Sequence, residues 1–209
     1  EYVVSEISRL RDLGKSNPGD TAIFYRTNAQ SRVFEEVFLR SGIPYKVVGG
    51  VRFYERREVK DFLAYLRVLV NPEDEVSLRR IINTPKRGIG DRALDLIDLH
   101  ANARGLTFWQ SLCEVESNQE IAARSGSSII EFVKLIQSLQ TLVEAKTRPS
   151  VIAQAVLEQS GLLAELSDSS DPQDEVRVEN LEELVAVATE YEESEVDEVS
   201  WFPLNEIVS

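Results

Sequence analysis

Hydrophobic positions along the chain fall into short periodic runs punctuated by Gly, Pro, Asn and Asp. Val3, Val4, Ile7 and Leu10 share one face of a helix predicted over residues 2–13 and closed by Gly14. Loop signals follow at Asn17, Pro18, Gly19 and Asp20. The apolar run Ala22-Ile23-Phe24-Tyr25 then has the length of a buried strand, Ala29 to Arg40 has helical spacing, and Tyr45-Lys46-Val47-Val48 follows the Gly42-Ile43-Pro44 break as a second strand. This order predicts a small N-terminal βαβ unit, part of a parallel α/β sheet with a right-handed crossover. Parallel strands open on one side of a sheet, so the loops at 26–28 and 49–52 are expected near each other.

From Glu55 onward the pattern is helical, which makes the predicted fold mostly α. Val59, Phe62, Leu63, Leu66, Leu69 and Val70 follow helical spacing until Asn71-Pro72. A helix is predicted from Glu73 to Ile82, and another from Asp91, after the turn Pro85-Lys86-Arg87-Gly88-Ile89-Gly90. Thr107 and Gln110 have capping-box spacing for a short helix containing Trp109. A long helix is predicted over 128–144, and the next has Pro149 in its first turn and ends near Gly161. Ser167 to Asp174 reads as a polar, mobile loop, followed by a helix with Leu181, Leu184, Val185 and Ala188 on one face. The apolar Trp201-Phe202-Pro203-Leu204 reads as the start of a further element.

Composition narrows the functional classes. At 209 residues, 43% hydrophobic and 28% charged, the chain can build one or two cores. It has no run of about 18 apolar residues and no signal-peptide pattern at its start, so the expected compartment is the cytoplasm, with no membrane partner. A single Cys113 and a single His100 give neither a disulfide nor a zinc pattern, and both read as ordinary helix residues. The chain lacks Met and begins at Glu1, as an excised segment would. Its net charge of −13 is unevenly spread. Residues 1–110 carry 18 basic and 15 acidic side chains, residues 111–209 carry 5 and 21. Phosphate binding needs local positive potential, so the first half is where nucleic acid would be met.

Three segments there carry candidate chemistry. Arg26, Asn28 and Arg32 flank the end of the first predicted strand and the start of its helix, where free N–H groups and cations can hold phosphates. The alternative is a helix cap with solvated arginines. In Gly49-Gly50-Val51-Arg52-Phe53-Tyr54, a cation beside aromatics suits single-stranded nucleic acid, with Arg52 on the backbone and Phe53 as a stacking plane. The alternative is a turn with both rings buried beneath it. Residues 79–92 hold five basic residues and one acidic. There Thr84, Lys86, Arg87, Gly88, Ile89 and Gly90 form a helix-hairpin-like turn that can expose backbone N–H groups to duplex phosphates. The alternative is a plain corner between helices, capped by Asp91.

No phosphate loop, nucleophile arrangement or zinc spacing is present. The strings Tyr25-Arg26-Thr27-Asn28-Ala29-Gln30-Ser31-Arg32, Gly49-Gly50-x-x-Phe53-Tyr54-Glu55-Arg56, Ala64-Tyr65-Leu66-Arg67 and Asn83-Thr84-Pro85-Lys86-Arg87-Gly88-Ile89-Gly90 resemble the UvrD/PcrA group of superfamily 1 helicases in order and spacing. Arg177 to Leu184 is similar to a later stretch of the same proteins. The resemblance runs from about Thr21, is most specific over 21–104, and rests on helix pattern over 115–175. It implies that residues 1–48 are part of the RecA-like subdomain 2A, and that 49–209 are a C-terminally truncated helical insertion, subdomain 2B. It places Arg26, Asn28 and Arg52 at single-stranded DNA and Lys86 to Gly90 at the duplex, near a junction. It further implies a parent that uses ATP and Mg²⁺ to move 3′ to 5′, often in repair. The ATP-binding motifs would lie outside this chain, which is then expected neither to bind nor to hydrolyse ATP. A regulatory or protein-interaction module, whose acidic half contacts a repair partner or the motor, is the alternative.

Overall fold

The structure, a computed structural model, describes residues 2–48, 50–117 and 119–194. Two compact units divide the chain, Glu1–Val59 and Lys60–Ser209. The first contains helices α1 (Tyr2–Asp12) and α2 (Ser31–Arg40), together with short 3₁₀ turns at Pro18–Asp20, Asn28–Gln30 and Phe53–Glu55. Its core gathers Ile7, Ala29, Phe38, Phe53 and Val59.

The predicted βαβ unit is not there. Among the described residues there is no strand, and the fold is helical throughout. Segments 21–25 and 43–47 carry no regular structure, and no backbone hydrogen bond joins one to the other. A strand exists only through a ladder, and an apolar run of this length is equally compatible with other placements. Exposure agrees: Phe24, expected inside a sheet, is 93% exposed, and Val48 is 84% exposed.

The second unit begins within α3 (Arg57–Val70), whose residues 61–66, 68 and 69 are all buried. Ala64, Tyr65 and Val68 add to the predicted stripe, so this part of the helix is wrapped nearly all round, as a central core helix must be. Then come α4 (Glu75–Ile81), α5 (Asp91–Arg104), α6 (Phe108–Cys113), α7 (Gln119–Glu144), α8 (Pro149–Ser160), α9 (Leu162–Ser167) and α10 (Pro172–Ser194). Helix α7 packs against α5, α6 and α8, and α10 packs on α8 and α9. The shared core includes Leu78, Ile97, Leu112, Phe132, Ile136, Val156 and Leu181. The polar stretch expected over 167–174 is shorter, because α9 ends at Ser167 and Pro172 starts α10. Trp201 to Leu204 lie outside the described residues. No described helix is long and apolar enough to cross a membrane.

Caps set several helix starts. The Thr107 hydroxyl accepts from the Gln110 N–H at 3.2 Å, and the Gln110 side-chain amide oxygen accepts in turn from the Thr107 N–H at 3.0 Å. Glu192, from the acidic α10, accepts from the Ser150 N–H at 2.6 Å and so satisfies one donor in the first turn of α8. At α4, Asp74 accepts from the Ser77 N–H at 3.2 Å and the Ser77 hydroxyl at 2.6 Å. The Ser77 hydroxyl bond is the main cause holding the Asp74 carboxyl below its ordinary value, with burial opposing it. We expect Asp74→Ala to cost about 1 kcal/mol at neutral pH. A depressed folded pKa means that the stabilisation is complete above the unfolded value of about 4 and is lost as pH falls through the folded value. Urea midpoints of wild type and variant should therefore differ at pH 7 and converge in acid; a gap that persists at pH 2 would remove the ionised cap from the explanation.

Candidate nucleic-acid interface

In the first unit, two carboxylates and one guanidinium tie the segments on either side of α2 together. Glu35, 4% exposed, accepts from the Phe53 N–H at 3.2 Å and from the Tyr45 hydroxyl at 3.3 Å. Glu36 accepts from the Tyr54 hydroxyl at 2.6 Å and pairs with Arg32 at 3.0 Å. Burial, reinforced by these carboxylates, raises the Tyr45 and Tyr54 pKa values, so both hydroxyls stay protonated donors. Arg56 donates to the carbonyls of Asn28 (3.2 Å) and Val51 (3.3 Å) and to the Ser31 hydroxyl (3.1 Å). Arg56 thus brings Asn28 and Ser31 beside Val51, so the loops expected near each other meet through side-chain ties at these residues and not through the sheet that predicted it.

This arrangement separates the candidates. Arg26, Asn28 and Arg52 are exposed, with the Arg52 guanidinium 5.5 Å from the Tyr45 ring centre and 4.0 Å from Glu55. Arg32 is 3% exposed and bound to Glu36, and Phe53 is 0% exposed. The Phe53 ring is closed to a stacking base here. What it offers the patch is position, because its N–H meets Glu35 and its ring lies under Arg56.

In the second unit, residues 82–90 connect α4 to α5. The Asn83 side-chain oxygen accepts from the N–H groups of Arg87 (2.7 Å) and Ile89 (3.4 Å), which curls the segment around one amide. Gly88 has φ +75°, a left-handed conformation that disfavours any side chain. Ile89 is 1% exposed and anchors the segment in the core. Thr84 gives its hydroxyl to the Arg80 carbonyl, and its own carbonyl accepts from the Tyr65 hydroxyl at 2.6 Å. Lys86, Gly88 and Gly90 face solvent. Among the described residues, the N–H groups of Gly88, Gly90, Asp91 and Arg92 have no acceptor. The last two are the uncommitted donors of any helix start.

The five cations of residues 79–92 differ in their partners. Arg79 binds Glu75 and Asp98 and lies 4.0 Å from the Phe108 ring centre. Arg80 pairs with Asp61 at 2.8 Å. Arg87 turns inward, to Tyr65 and the Ser160 carbonyl. Lys86 and Arg92 are exposed, as is Arg80 beside its ion pair. A groove of about 390 Å³ between α4, α5 and α6 is lined by Glu73, Glu75 and Asp98 and has the wrong sign for phosphate. Among the described residues, no group of three His, Cys, Asp or Glu side chains could hold a metal ion. Four residues that shape these sites, Glu35, Arg56, Tyr65 and Asn83, are not among the predicted site residues, although the last three stand in the strings that carry the family resemblance. Only Asn83 had a local signal, since Asn side chains commonly accept from backbone N–H groups in turns.

A helical chain that offers exposed cations beside free backbone donors in its less acidic half matches, over residues 1–209, the family model described as the UvrD-like helicase C-terminal domain. The chain belongs to that family. It is 46% identical over 192 residues to the ATP-dependent DNA helicase UvrD1 of Mycobacterium tuberculosis, covering 91% of this chain and 25% of that protein. It is 39% identical over 198 residues to DNA helicase II of Escherichia coli, covering 94% and 27%. It is 42% identical over 197 residues to the ATP-dependent DNA helicase PcrA of Staphylococcus epidermidis, covering 93% and 26%. The chain thus spans about a quarter of the length of these curated relatives.

Proposed function

We propose that this chain is the DNA-contacting part of an ATP-dependent 3′–5′ DNA helicase acting in DNA repair. Arg26, Asn28 and Arg52 hold single-stranded DNA, and the 83–90 segment grips duplex phosphates near the junction. Residues 1–48 then belong to subdomain 2A and residues 49–209 to the 2B insertion, while ATP and Mg²⁺ serve the parent enzyme. The observation that carries the duplex reading is the grouping of Lys86 with the uncommitted N–H groups of Gly88, Gly90, Asp91 and Arg92 on a segment anchored by Ile89. Donors held in this way recognise phosphate without reading sequence. The names of the relatives support the motor activity of the parent.

A second reading, a protein-interaction surface on the acidic half, is favoured by the exposed Glu175, Glu182 and Glu190 of α10. It is compatible with the first, because a face of that sign must point away from DNA.

The test is a salt titration of duplex binding by the full-length protein. Lys86→Ala should weaken binding about equally across DNA sequences and flatten the slope of log K against log salt by about 0.9. Arg52→Ala should instead weaken single-strand binding and spare the duplex. Duplex affinity and slope that ignore Lys86→Ala would remove the 83–90 segment from the interface.

A further inference from the structure

We propose that Arg87 is a positioning residue that does not touch DNA. Through Tyr65 and the Ser160 carbonyl it latches the 83–90 segment in the shape that presents Lys86 and the free backbone donors. This rests on the duplex reading above.

The geometry leaves Arg87 little to offer a phosphate. One terminal nitrogen donates to the carbonyls of Ile81 (3.1 Å) and Pro85 (3.2 Å), the other to the Tyr65 hydroxyl (2.7 Å) and the Ser160 carbonyl (2.9 Å). A guanidinium carries two hydrogens on each terminal nitrogen, and these acceptors, with the Ile82 carbonyl 3.5 Å from the first nitrogen, occupy both. The Phe132 ring lies beneath, its centre 5.4 Å from the guanidinium carbon. Bidentate recognition of phosphate needs the same N–H groups, and releasing them would strand acceptors inside the protein. The basic residue beside the glycines is therefore spent on shape.

Tyr65 is the second half of the latch. It is fully buried and cannot reach DNA, yet its hydroxyl accepts from Arg87 and donates to the Thr84 carbonyl. Burial, with Arg87 opposing it, pushes the phenol pKa up to about 12, so the donor proton is present at any working pH. The pair joins Thr84 and Arg87 of the segment to α3, and the Ser160 carbonyl joins it to the end of α8. Loop, core helix and platform are fixed at one point.

The test uses full-length protein carrying Tyr65→Phe, Arg87→Lys, Arg87→Gln or Lys86→Ala, with two measurements. Hydrogen exchange without DNA reports the latch, and salt-dependent binding of duplex and single strands reports its consequence. Tyr65→Phe removes no charge and only one buried hydroxyl. It should speed exchange across 83–90, leave α7 and α8 protected, and weaken duplex binding about threefold to tenfold. It should also flatten the salt slope toward that of Lys86→Ala, add little in the double variant, and spare single-strand binding. Arg87→Lys keeps the charge but loses the planar four-point geometry, so it should fail as Arg87→Gln does. Near wild-type duplex affinity in Arg87→Lys would make residue 87 a phosphate contact and overturn the proposal. So would exchange that is unchanged in Tyr65→Phe or faster everywhere, or duplex binding that falls with Lys86→Ala and ignores Tyr65→Phe. If exchange rises locally while neither Lys86→Ala nor Tyr65→Phe alters duplex binding, the latch is supported and the duplex reading fails.

Discussion

Replacing Phe53 by alanine is expected to destabilise the first unit by about 3–5 kcal/mol, the range for emptying a buried aromatic site. The ring has no exposed surface, meets Tyr54 edge-on with centres 5.1 Å apart, and lies under the Arg56 guanidinium at 5.3 Å. Truncation would also loosen the hold of Arg56 on Asn28 and of Glu35 on the Phe53 N–H, so the cavity should spread into the patch. Urea unfolding followed by circular dichroism would measure the loss. Single-strand binding, compared at a temperature where the variant stays folded, separates the two roles open to this aromatic. A core ring predicts lost stability and an indirect drop in affinity; a stacking ring predicts unchanged stability and a loss of about 1–3 kcal/mol in binding. Unchanged unfolding with abolished single-strand binding would show that the ring swings outward to meet a base.

Phe53 marks the boundary between what the sequence makes legible and what it does not. Helix starts with local chemistry are legible: the Thr107 and Gln110 box, Pro149 opening α8 and Gly161 closing it all follow from neighbours a few residues apart. The apolar run 22–25 is different, since its length allows a strand and only a partner can make it one. That partner is a non-local fact, and Phe24 in solvent is the result. Helix α9, six residues between Gly161 and a polar stretch, is too short to show a period at all. Helix α7 starts earlier than expected, at Gln119, where Ala122, Ala123, Ser125 and Gly126 give little hydrophobic contrast.

The same division runs through the interface. That residues 79–92 concentrate positive charge is plain from composition; which charges face outward is not. Arg79 is neutralised by Asp98, Arg80 by Asp61, and Arg87 is absorbed by Tyr65 and Ser160, partners between 19 and 73 residues away along the chain. Long-range ties of this kind leave no periodic trace. They also change the electrostatic argument, because a cation already paired adds less to the field at a phosphate than a free one. On the proposed duplex reading, the grip would therefore depend less on the number of arginines than on backbone donors and Lys86 held in register.

That dependence makes Ile89 the most sensitive position in the segment. Its side chain is 1% exposed, and its N–H meets the Asn83 oxygen at 3.4 Å, so the residue between the two glycines is fixed in the core and the glycines are presented on either side. Ile89→Asp would put a carboxylate into the core, where the cation two residues before it, Arg87, is already committed. Burial of this kind raises a carboxyl pKa by up to several units. A rise of about 3 units alone corresponds to about 4 kcal/mol at neutral pH, and the lost apolar contact adds to it. The sign is opposite to that at Asp74. A folded pKa above the unfolded value makes the penalty largest above the folded value and smallest below about pH 4, where the carboxyl is neutral in both states. Urea midpoints of Ile89→Asp should thus approach those of wild type as pH falls from 8 to 5. A small cost that does not change with pH would mean that residue 89 reaches water, and the anchored geometry that presents the glycines would have to be given up.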